Sequence, residues 1–233
     1  MKTLAIDTST NILGVAILDD TELIGQKVTK VNKDHSSRLM PAIVELMKDI
    51  NLKPEALEKI VVGAGPGSFT GIRIGVTVAK SLAWALNIPV VRVSSLESLA
   101  YQAKLKEGIV CSFFDARREN VYAGIYRVSN NQVTTIKPDA NVTFLDLTKN
   151  LLSFDEEITL LSPDIKKFEE LMSEDLKKQT VIPDLPFHII NPSNLALIGH
   201  NKFEENLHQL TPEYLRMAEA EANWLKAKEK GND

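Results

Sequence analysis

The 233-residue sequence has few of the features that mark secreted or membrane-spanning proteins. Its single cysteine, Cys111, cannot form a disulfide within the chain, which is typical of a reducing compartment. No run of about 18 apolar residues occurs, and the first residues carry no long apolar segment of the kind found in signal peptides. We therefore expect a cytoplasmic protein that makes no membrane contact.

The chain also lacks an excess of positive charge. It has 27 basic and 31 acidic residues, for a formal net charge of −4. A protein that binds nucleic acid by itself usually has a basic surface, because neutralising phosphates supplies most of the affinity. Direct nucleic-acid binding by this chain alone is therefore disfavoured, although composition leaves a local basic patch open.

Metal-binding and nucleophile patterns are missing as well. The four histidines form no H-x-x-x-H pair, and no H-E-x-x-H or C-x-x-C motif occurs; they are His35, His188, His200 and His208. No nucleophile–base constellation is visible, so we discard a peptidase activity and predict neither catalytic nor metal-binding residues. Cys111 lies in an apolar run, which favours a buried structural thiol.

The most informative segment that is present runs from Gly63 to Gly75. It follows the apolar run Ile60–Val62 and opens a helical pattern that ends near Leu86. Where a strand leads through a glycine-rich turn into a helix, backbone N–H groups can face an anion. The segment therefore has the build of a phosphate cradle.

Neither common nucleotide motif fits this segment. A Walker A loop needs Lys and then Ser or Thr after its last glycine, but Gly71 is followed by Ile72. The glycines at positions 65, 67 and 71 are spaced one residue too widely for the dinucleotide fingerprint G-x-G-x-x-G.

A pattern in the first half of the chain recurs in the second. A strand ends in Asp7 and another ends in Asp115, 108 positions later, and each leads through a short turn to a returning strand. A repeat of this length predicts duplicated domains rather than a solenoid. The alternative is that any two β-hairpins look alike. We predict an N-terminal domain of residues 1–107, joined by 211–233, and a C-terminal domain of residues 108–210.

The apolar periodicity predicts an α/β fold with mixed sheets flanked by helices. In the first half, strands near residues 4–7, 14–18, 23–31, 60–62 and 90–93 alternate with helices at 36–50, 71–86 and from Leu96 onwards. The second half repeats the opening hairpin and then degrades. Helices are predicted there at 163–172, 194–206 and 217–228.

Three segments together resemble the bacterial TsaB family, also called YeaZ: MKTLAIDTST at the start, GPGSFTGIRIG at 65–75, and P-x-Y-L-R at 212–216. The resemblance implies the actin-like duplicated fold of the sugar-kinase superfamily. It also implies a role in adding threonylcarbamoyl to the adenosine next to the anticodon in tRNAs that read codons beginning with A.

The same resemblance implies how such a chain works. The expected partners are a catalytic paralogue of the TsaD type and an ATPase of the TsaE type, with tRNA reached only through the complex. In isolation we expect a homodimer. No tightly bound cofactor is expected, and a nucleotide at the partner interface is left open.

Asp7, Thr8 and Ser9 lie where actin-like enzymes have their first phosphate loop. In an active enzyme the acidic residue helps to hold a metal ion and the small polar residues donate to phosphate. The alternative is that these side chains satisfy the backbone of their own turn, as Asp, Ser and Thr often do. We therefore list Asp7, Thr8 and Ser9 as a vestigial phosphate loop.

The catalytic paralogue differs from this chain after the strand that ends at Val93. Resemblance to TsaD places its H-H-M-E-G-H motif there, with two histidines holding a metal. The corresponding positions here are Ser95 and Leu99, and Leu99 cannot bind a metal. The chain is therefore expected to be non-catalytic.

Two helices carry more apolar or hot-spot surface than their own core requires. The first predicted helix has a second stripe beside its core stripe, and the next has Trp and Arg, residue types common in binding hot spots, on its polar face. The alternative is deeper burial within the chain. The predicted interface residues are Met40, Val44, Met47, Arg73, Thr77, Lys80 and Trp84.

Two other functions compete with the scaffolding role. One is an independent ATP-dependent enzyme of the sugar-kinase type, which would need its own nucleotide site. The other is an NADP-dependent reductase with Arg92 near a ribose phosphate. The long glycine spacing and the N-terminal hairpin argue against the reductase.

Overall fold

The structure is a computed structural model that describes residues 1–31 and 34–215. Two five-stranded sheets form its framework. The first half contains β1 (Lys2–Asp7), β2 (Ile12–Asp19), β3 (Glu22–Lys30), α1 (His35–Asp49), β4 (Lys59–Gly63), α2 (Phe69–Leu86), β5 (Val90–Val93) and α3 (Ser95–Ala100). The second half contains β6 (Gly108–Asp115), β7 (Asn120–Ser129), β8 (Gln132–Thr143), α4 (Phe144–Leu151), β9 (Ile158–Leu161), α5 (Ile165–Glu169), α6 (Glu174–Gln179), β10 (Thr180–Val181) and α7 (Pro192–His200).

The two sheets have the same topology, which confirms the predicted duplication. The first is ordered β3-β2-β1-β4-β5 and the second β8-β7-β6-β9-β10, so that each has its first strand at the centre. In each sheet the first three strands are antiparallel and the last two are parallel to the first. Even the turn after the first strand repeats, because the backbone N–H groups of Ser9 and Arg117 donate to the carboxylates of Asp7 and Asp115. The fold is the actin-like duplicated α/β fold.

Strands β1, β2 and β4 of the first sheet are buried on both faces, which explains why they are almost entirely apolar, whereas the edge strand β3 is largely exposed. Successive side chains of a strand point to opposite faces. Leu4 and Ile6 accordingly pack with α1 and α2, while Ala5 between them packs with α7. Strand β1 can therefore be almost entirely apolar without exposing a hydrophobic face.

Helices α3 and α7 are exchanged between the two halves of the chain. Helix α3 follows the first sheet in sequence but packs on the second, where Leu96 and Leu99 join Val110 and Phe114. Helix α7 follows the second sheet but packs on the first, where Leu195 meets Val61. We call the first sheet with α1, α2 and α7 the first lobe, and the second sheet with α3 to α6 the second lobe.

This exchange corrects the predicted domain boundary. We expected the chain to return to the first domain after residue 210, but it already returns at Pro192, the start of α7. The physical reason is that α1 and α2 cover one face of the first sheet, so its other apolar face needs another helix. The predicted tail helix at 217–228 lies outside the described residues.

Two predicted helices in the second half are shorter than expected. The helix predicted at 163–172 is Ile165–Glu169, and that predicted at 194–206 is Pro192–His200. The C-terminus of α7 is held by Lys59, whose buried ammonium donates to the carbonyl oxygens of Gly199 and His200. A cation at these carbonyl groups is favourable at a helix C-terminus.

The prediction for Cys111 is confirmed. Its side chain is fully buried in the core of the second lobe. Burial raises the pKa of the Cys111 thiol to about 12, so it stays protonated at neutral pH. Across residues 1–31 and 34–215, none of the helices is both long and apolar enough to span a bilayer.

The exchange of α3 and α7 predicts that residues 1–107 do not fold stably alone. Without α7, one face of the first sheet exposes apolar side chains, which include Leu18, Val61, Val91 and Val93. Burial of one such side chain stabilises a protein by about 1.5–3 kcal/mol. We expect a non-cooperative thermal transition by circular dichroism.

The matched control is residues 1–107 joined through a flexible linker to residues 189–210, which supply α7. This fusion should regain a cooperative transition because the apolar face is covered again. A cooperative transition of the isolated 1–107 fragment would contradict the exchange as a folding requirement.

Candidate functional site

The glycine-rich segment joins β4 to α2 and lies directly against the turn between β1 and β2. Ser68 is the N-cap of α2, and its side chain accepts the N–H of Gly71 at 3.3 Å. Its own backbone N–H donates to the carbonyl oxygen of Ser9 at 2.7 Å. The start of α2 is thereby fixed to the residues of the predicted phosphate loop.

The glycines allow this close approach. A Cβ atom on Gly71 would lie 2.1 Å from the carbonyl oxygen of Thr8, and one on Gly67 would lie 2.3 Å from that of Ser9. Both distances are far below van der Waals contact. The glycines therefore serve the packing of α2 against the β1–β2 turn, and the side chains of Asp7, Thr8 and Ser9 are buried there.

The side chains of the predicted phosphate loop are buried and bonded within the chain. Asp7 accepts the N–H and hydroxyl of Ser9 at 3.0 and 2.9 Å on one oxygen, and the hydroxyl of Ser95 at 3.1 Å on the other. Thr8 donates its hydroxyl to the carbonyl oxygen of Gly71 at 2.7 Å. This geometry favours the alternative in which the side chains satisfy their own turn, while phosphate contact stays an untested prediction.

Asp7 is electrostatically unusual. Burial raises the pKa of its carboxyl above the ordinary value, against the opposing effect of the hydrogen bonds from Ser9 and Ser95. Its electrostatic interaction with His35 also lowers the pKa of Asp7, by a smaller amount. His35 itself is buried at the start of α1, and its Nε2 has no hydrogen-bond partner among residues 1–31 and 34–215. His35 is considered in the sequence analysis only as a metal ligand, and no local pattern indicates its burial or its electrostatic effect on Asp7.

The two positions that correspond to metal ligands in the paralogue do not fit a metal. The hydroxyl of Ser95 is fully buried and committed to Asp7. Leu99 packs in the apolar cluster between α3 and the second sheet. Within residues 1–31 and 34–215, no group of three or more His, Cys, Asp or Glu side chains is arranged to hold a metal ion.

The predicted interface face on α1 and α2 is apolar and exposed at three positions. Met40 is 38% exposed, Val44 is 58% exposed and Trp84 is 73% exposed. Thr77 is also exposed. The assignment of Met47 is wrong, because this residue is 6% exposed and packs in the core of the first lobe. The second apolar stripe of α1 borders the core, and the Met47 side chain turns towards that core.

Arg73 and Lys80 have partners within the chain. Residues 206–215, which we call the C-terminal strap, run along α2. The Arg73 guanidinium lies 3.8 Å from the Phe69 ring centre, and its Nε donates to the Tyr214 hydroxyl at 2.6 Å. The Lys80 ammonium donates to the carbonyl oxygen of Leu210 at 2.8 Å. The two cations therefore anchor the strap, and their assignment as partner contacts stays a prediction.

The structure of the strap was not foreseen from sequence. The Phe69 and Tyr214 rings stack at 5.0 Å, and the N–H of Glu213 donates to the carbonyl oxygen of Ala64 in the glycine-rich segment. The pairing of Arg73 with an aromatic residue about 140 positions away has no local sequence signal. The salt bridge of 2.8 Å between Arg92 and Glu205 likewise gives Arg92 a partner within the chain.

Comparison with known proteins identifies the family. The chain is 42% identical over 227 residues to the tRNA threonylcarbamoyladenosine biosynthesis protein TsaB of Bacillus subtilis, covering 97% of this chain and 99% of that protein. The chain belongs to the TsaB family. The TsaB protein of Escherichia coli is 32% identical over 135 residues, which are 57% of this chain and 58% of that protein.

Two further comparisons agree with membership of the TsaB family. Residues 25–224 match the family model described as TsaD, tRNA N6-adenosine threonylcarbamoyltransferase. The solved structure of YeaZ from Pseudomonas aeruginosa superposes with a TM-score of 0.77 at 26% identity, covering 92% of this chain and 99% of that one. The duplicated fold seen here is thus shared with a solved TsaB-type protein.

The close approach at Gly71 predicts that Gly71→Ala destabilises the protein. The new Cβ would collide with the backbone of Thr8. Overpacking of this kind costs about 1–3 kcal/mol, which exceeds the gain of about 1 kcal/mol expected from replacing a helical glycine with alanine. The free energy of unfolding in urea should fall.

Ser81→Ala on the exposed side of the same helix is the matched control. It should raise stability by about 0.5 kcal/mol from helix propensity alone. A Gly71→Ala protein that is as stable as wild type, or more stable, would show that the segment does not pack tightly on Thr8.

The raised pKa of Asp7 predicts a pH-dependent effect of Asp7→Asn. The folded state holds the Asp7 proton more tightly than the unfolded state, whose pKa is about 4. The contribution of Asp7 to stability is therefore largest below pH 4 and declines as pH rises through the folded pKa. Because Asn does not ionise, the stability of Asp7→Asn relative to wild type should be higher at pH 7 than at pH 4.

Urea denaturation at the two pH values measures this difference. The exposed Asp155→Asn serves as the control and should show little change between them. An Asp7→Asn difference that is equal at both pH values, or larger at pH 4, would contradict a burial-raised pKa.

Proposed function

We propose that this chain is a non-catalytic subunit of the machinery that forms threonylcarbamoyladenosine in tRNA. Its role is to bind and support a catalytic paralogue of the TsaD type, together with an ATPase of the TsaE type. Membership of the TsaB family and the match of residues 25–224 to the TsaD family model support this assignment. The tRNAs concerned are those that read codons beginning with A.

The proposal that the chain is non-catalytic rests on the two positions that correspond to the metal ligands of the paralogue, Ser95 and Leu99. Ser95 uses its hydroxyl to bind Asp7, and Leu99 is part of an apolar core. Neither residue offers a free donor atom. The neighbouring turn of Asp7 is packed against the glycine-rich segment rather than open to a substrate.

The observation that favours a binding role is the exposed face of α1 and α2. Three large apolar side chains that would lose water contact on binding are exposed on two adjacent helices; they are Met40, Val44 and Trp84. Such aromatic and methionine side chains are enriched at the centres of interfaces. We propose that this face joins two copies of the chain in isolation and the paralogue in the complex.

The remaining expectations follow from this role. The chain would reach tRNA only through the complex, which agrees with its net charge of −4. A nucleotide, if one binds, would lie at the partner interface rather than in the closed turn of this chain. A cytoplasmic location stays a prediction.

Trp84→Ala and Val44→Asp should weaken partner binding while leaving the fold intact. Both side chains are more than half exposed, so their replacement removes little core packing. Truncating a central interface residue typically costs about 2 kcal/mol or more, which is about a thirtyfold loss of affinity. Sedimentation equilibrium measures self-association, and titration calorimetry with the TsaD-type paralogue measures hetero-association.

Leu145→Ala is the matched control, because Leu145 is an equally exposed apolar residue on α4 of the second lobe. Its affinities should match wild type. Unchanged self-association and unchanged paralogue binding in Trp84→Ala and Val44→Asp, with native circular dichroism, would place the interface elsewhere.

The isolated chain should show no transfer activity. Incubation with threonylcarbamoyl-adenylate and a tRNA that reads codons beginning with A should yield no modified adenosine by mass spectrometry. Addition of the TsaD-type paralogue and the TsaE-type ATPase should restore modification. Modification by the chain alone would overturn the non-catalytic assignment.

A further inference from the structure

We propose that Ser94 and Ser95, at the start of α3, form a latch that fixes the angle between the two lobes. These two adjacent residues bind a carboxylate on each side of the junction, Asp7 in the first lobe and Asp139 in the second. The latch would operate whatever partner the chain binds, because its contacts lie within one chain.

On the side of the first lobe, Ser95 is tied by side chain and backbone. Its hydroxyl donates to Asp7 at 3.1 Å, and its backbone N–H donates to the carbonyl oxygen of Gly65 at 2.8 Å. The side chain is fully buried. Loss of the hydroxyl would leave one oxygen of the buried Asp7 carboxyl without its partner, and an unsatisfied buried polar group is costly.

On the side of the second lobe, Ser94 both caps α3 and donates to Asp139. Its Oγ accepts the N–H groups of Leu96 and Glu97, each at 3.1 Å, and donates to one oxygen of Asp139 at 2.5 Å. The Tyr126 hydroxyl donates to the other oxygen at 2.5 Å. Burial, followed by the nearby Asp139 carboxylate, raises the pKa of Tyr126, so its hydroxyl stays protonated and available as a donor.

Both carboxylates are confined by glycines on neighbouring strands. A Cβ on Gly63 would lie 1.9 Å from Asp7 Oδ2, and one on Gly124 would lie 2.4 Å from Asp139 Oδ1. Each acid therefore fills the space that a side chain at the glycine would take and lies against the backbone of a neighbouring strand. Because Ser94 and Ser95 are adjacent, a change in the angle between the lobes must break at least one of the two carboxylate contacts.

Helix α3 also holds the second sheet directly, so that its N-terminus moves with that sheet. The hydroxyl of Ser112 on β6 donates to the carbonyl oxygen of Leu96 at 2.8 Å. The apolar side of α3 packs with Val110 and Phe114 of the same strand. Helix α3 is therefore fixed to the second lobe, and its N-terminal residue Ser95 contacts Asp7 of the first lobe.

Electron–electron distance measurement between spin labels on the two lobes tests the latch. Lys48→Cys on α1 and Lys149→Cys on α4 place labels at exposed positions, and the buried Cys111 thiol stays unlabelled. The labelled chain is diluted in an excess of unlabelled chain, so that distances between two copies do not contribute, and the wild-type background should then give one narrow distance distribution. Ser94→Asp should broaden and shift it, because aspartate still caps α3 but faces the Asp139 carboxylate with a like charge.

Ser94→Gly is the second variant, because glycine is an acceptable N-cap that lacks the hydroxyl donor. Ser94→Gly should broaden the spin-label distance distribution because it lacks the hydrogen bond to Asp139, without adding a like charge beside that carboxylate. The controls are Ser173→Asp and Ser173→Gly at the N-cap of α6, where the side chain accepts the N–H of Leu176 in its own helix and has no partner in the other lobe among the described residues. Both should match wild type.

An unchanged distribution in folded Ser94→Asp or folded Ser94→Gly would overturn the latch. Failure of Ser94→Gly to fold, while Ser173→Gly folds, would also overturn it, because Ser94 would then support folding rather than the angle between folded lobes. The assay uses no partner, so its outcome is independent of the proposed scaffolding function.

Discussion

The structure depends on the reciprocal exchange of two helices between its halves. Within the described part of the chain, each sheet has one face covered by helices of its own half and another face covered by a helix from the other half. Large apolar faces left in water would cost more than the marginal stability of a domain. Each lobe therefore needs a helix from the other half of the chain, although the two sheets are separate and share one topology. This requirement places α3 and α7 at the junction and brings Ser94, Ser95 and the glycine-rich segment to the same place.

The role of the glycine-rich segment follows from its position at this junction. Its sequence resembles an anion cradle, yet its glycines let α2 approach the β1–β2 turn so closely that the turn is filled by protein. Thr8 and Ser9 bond to the segment, and Asp7 bonds to Ser95. A position that holds a metal ligand in the resembling transferase is used here to join the chain to itself. This use of Ser95 is the basis of the proposed non-catalytic role.

The sequence predicted much of the local structure. The strands around Asp7 and Asp115, the helices α1 and α2, and the duplication follow from apolar periodicity and from the repeated acidic turn. The packing partner of α7 could not be predicted, because periodicity shows that a helix has an apolar side but not which sheet receives it. The boundary at residue 210 was wrong for that reason.

The candidate interface shows the same division between local and distant information. The exposure of Val44 and Trp84 agrees with their positions outside the core stripes. Met47 lies at the edge of a stripe, where a small rotation of the helix decides between core and surface. Arg73 and Lys80 are held by a strap more than 120 residues away in sequence, which no helical wheel can show.

The central claim is that the turn of Asp7, Thr8 and Ser9 is closed by the chain's own packing, so that the isolated protein is a binding subunit and not a nucleotide-dependent enzyme. Calorimetric titration of the isolated chain with magnesium ATP tests this claim most directly. The account predicts no saturable heat of binding. Stoichiometric binding of ATP that is lost on Gly71→Ala or Asp7→Asn would contradict it, because the nucleotide would then bind at the turn whose side chains are buried in the structure.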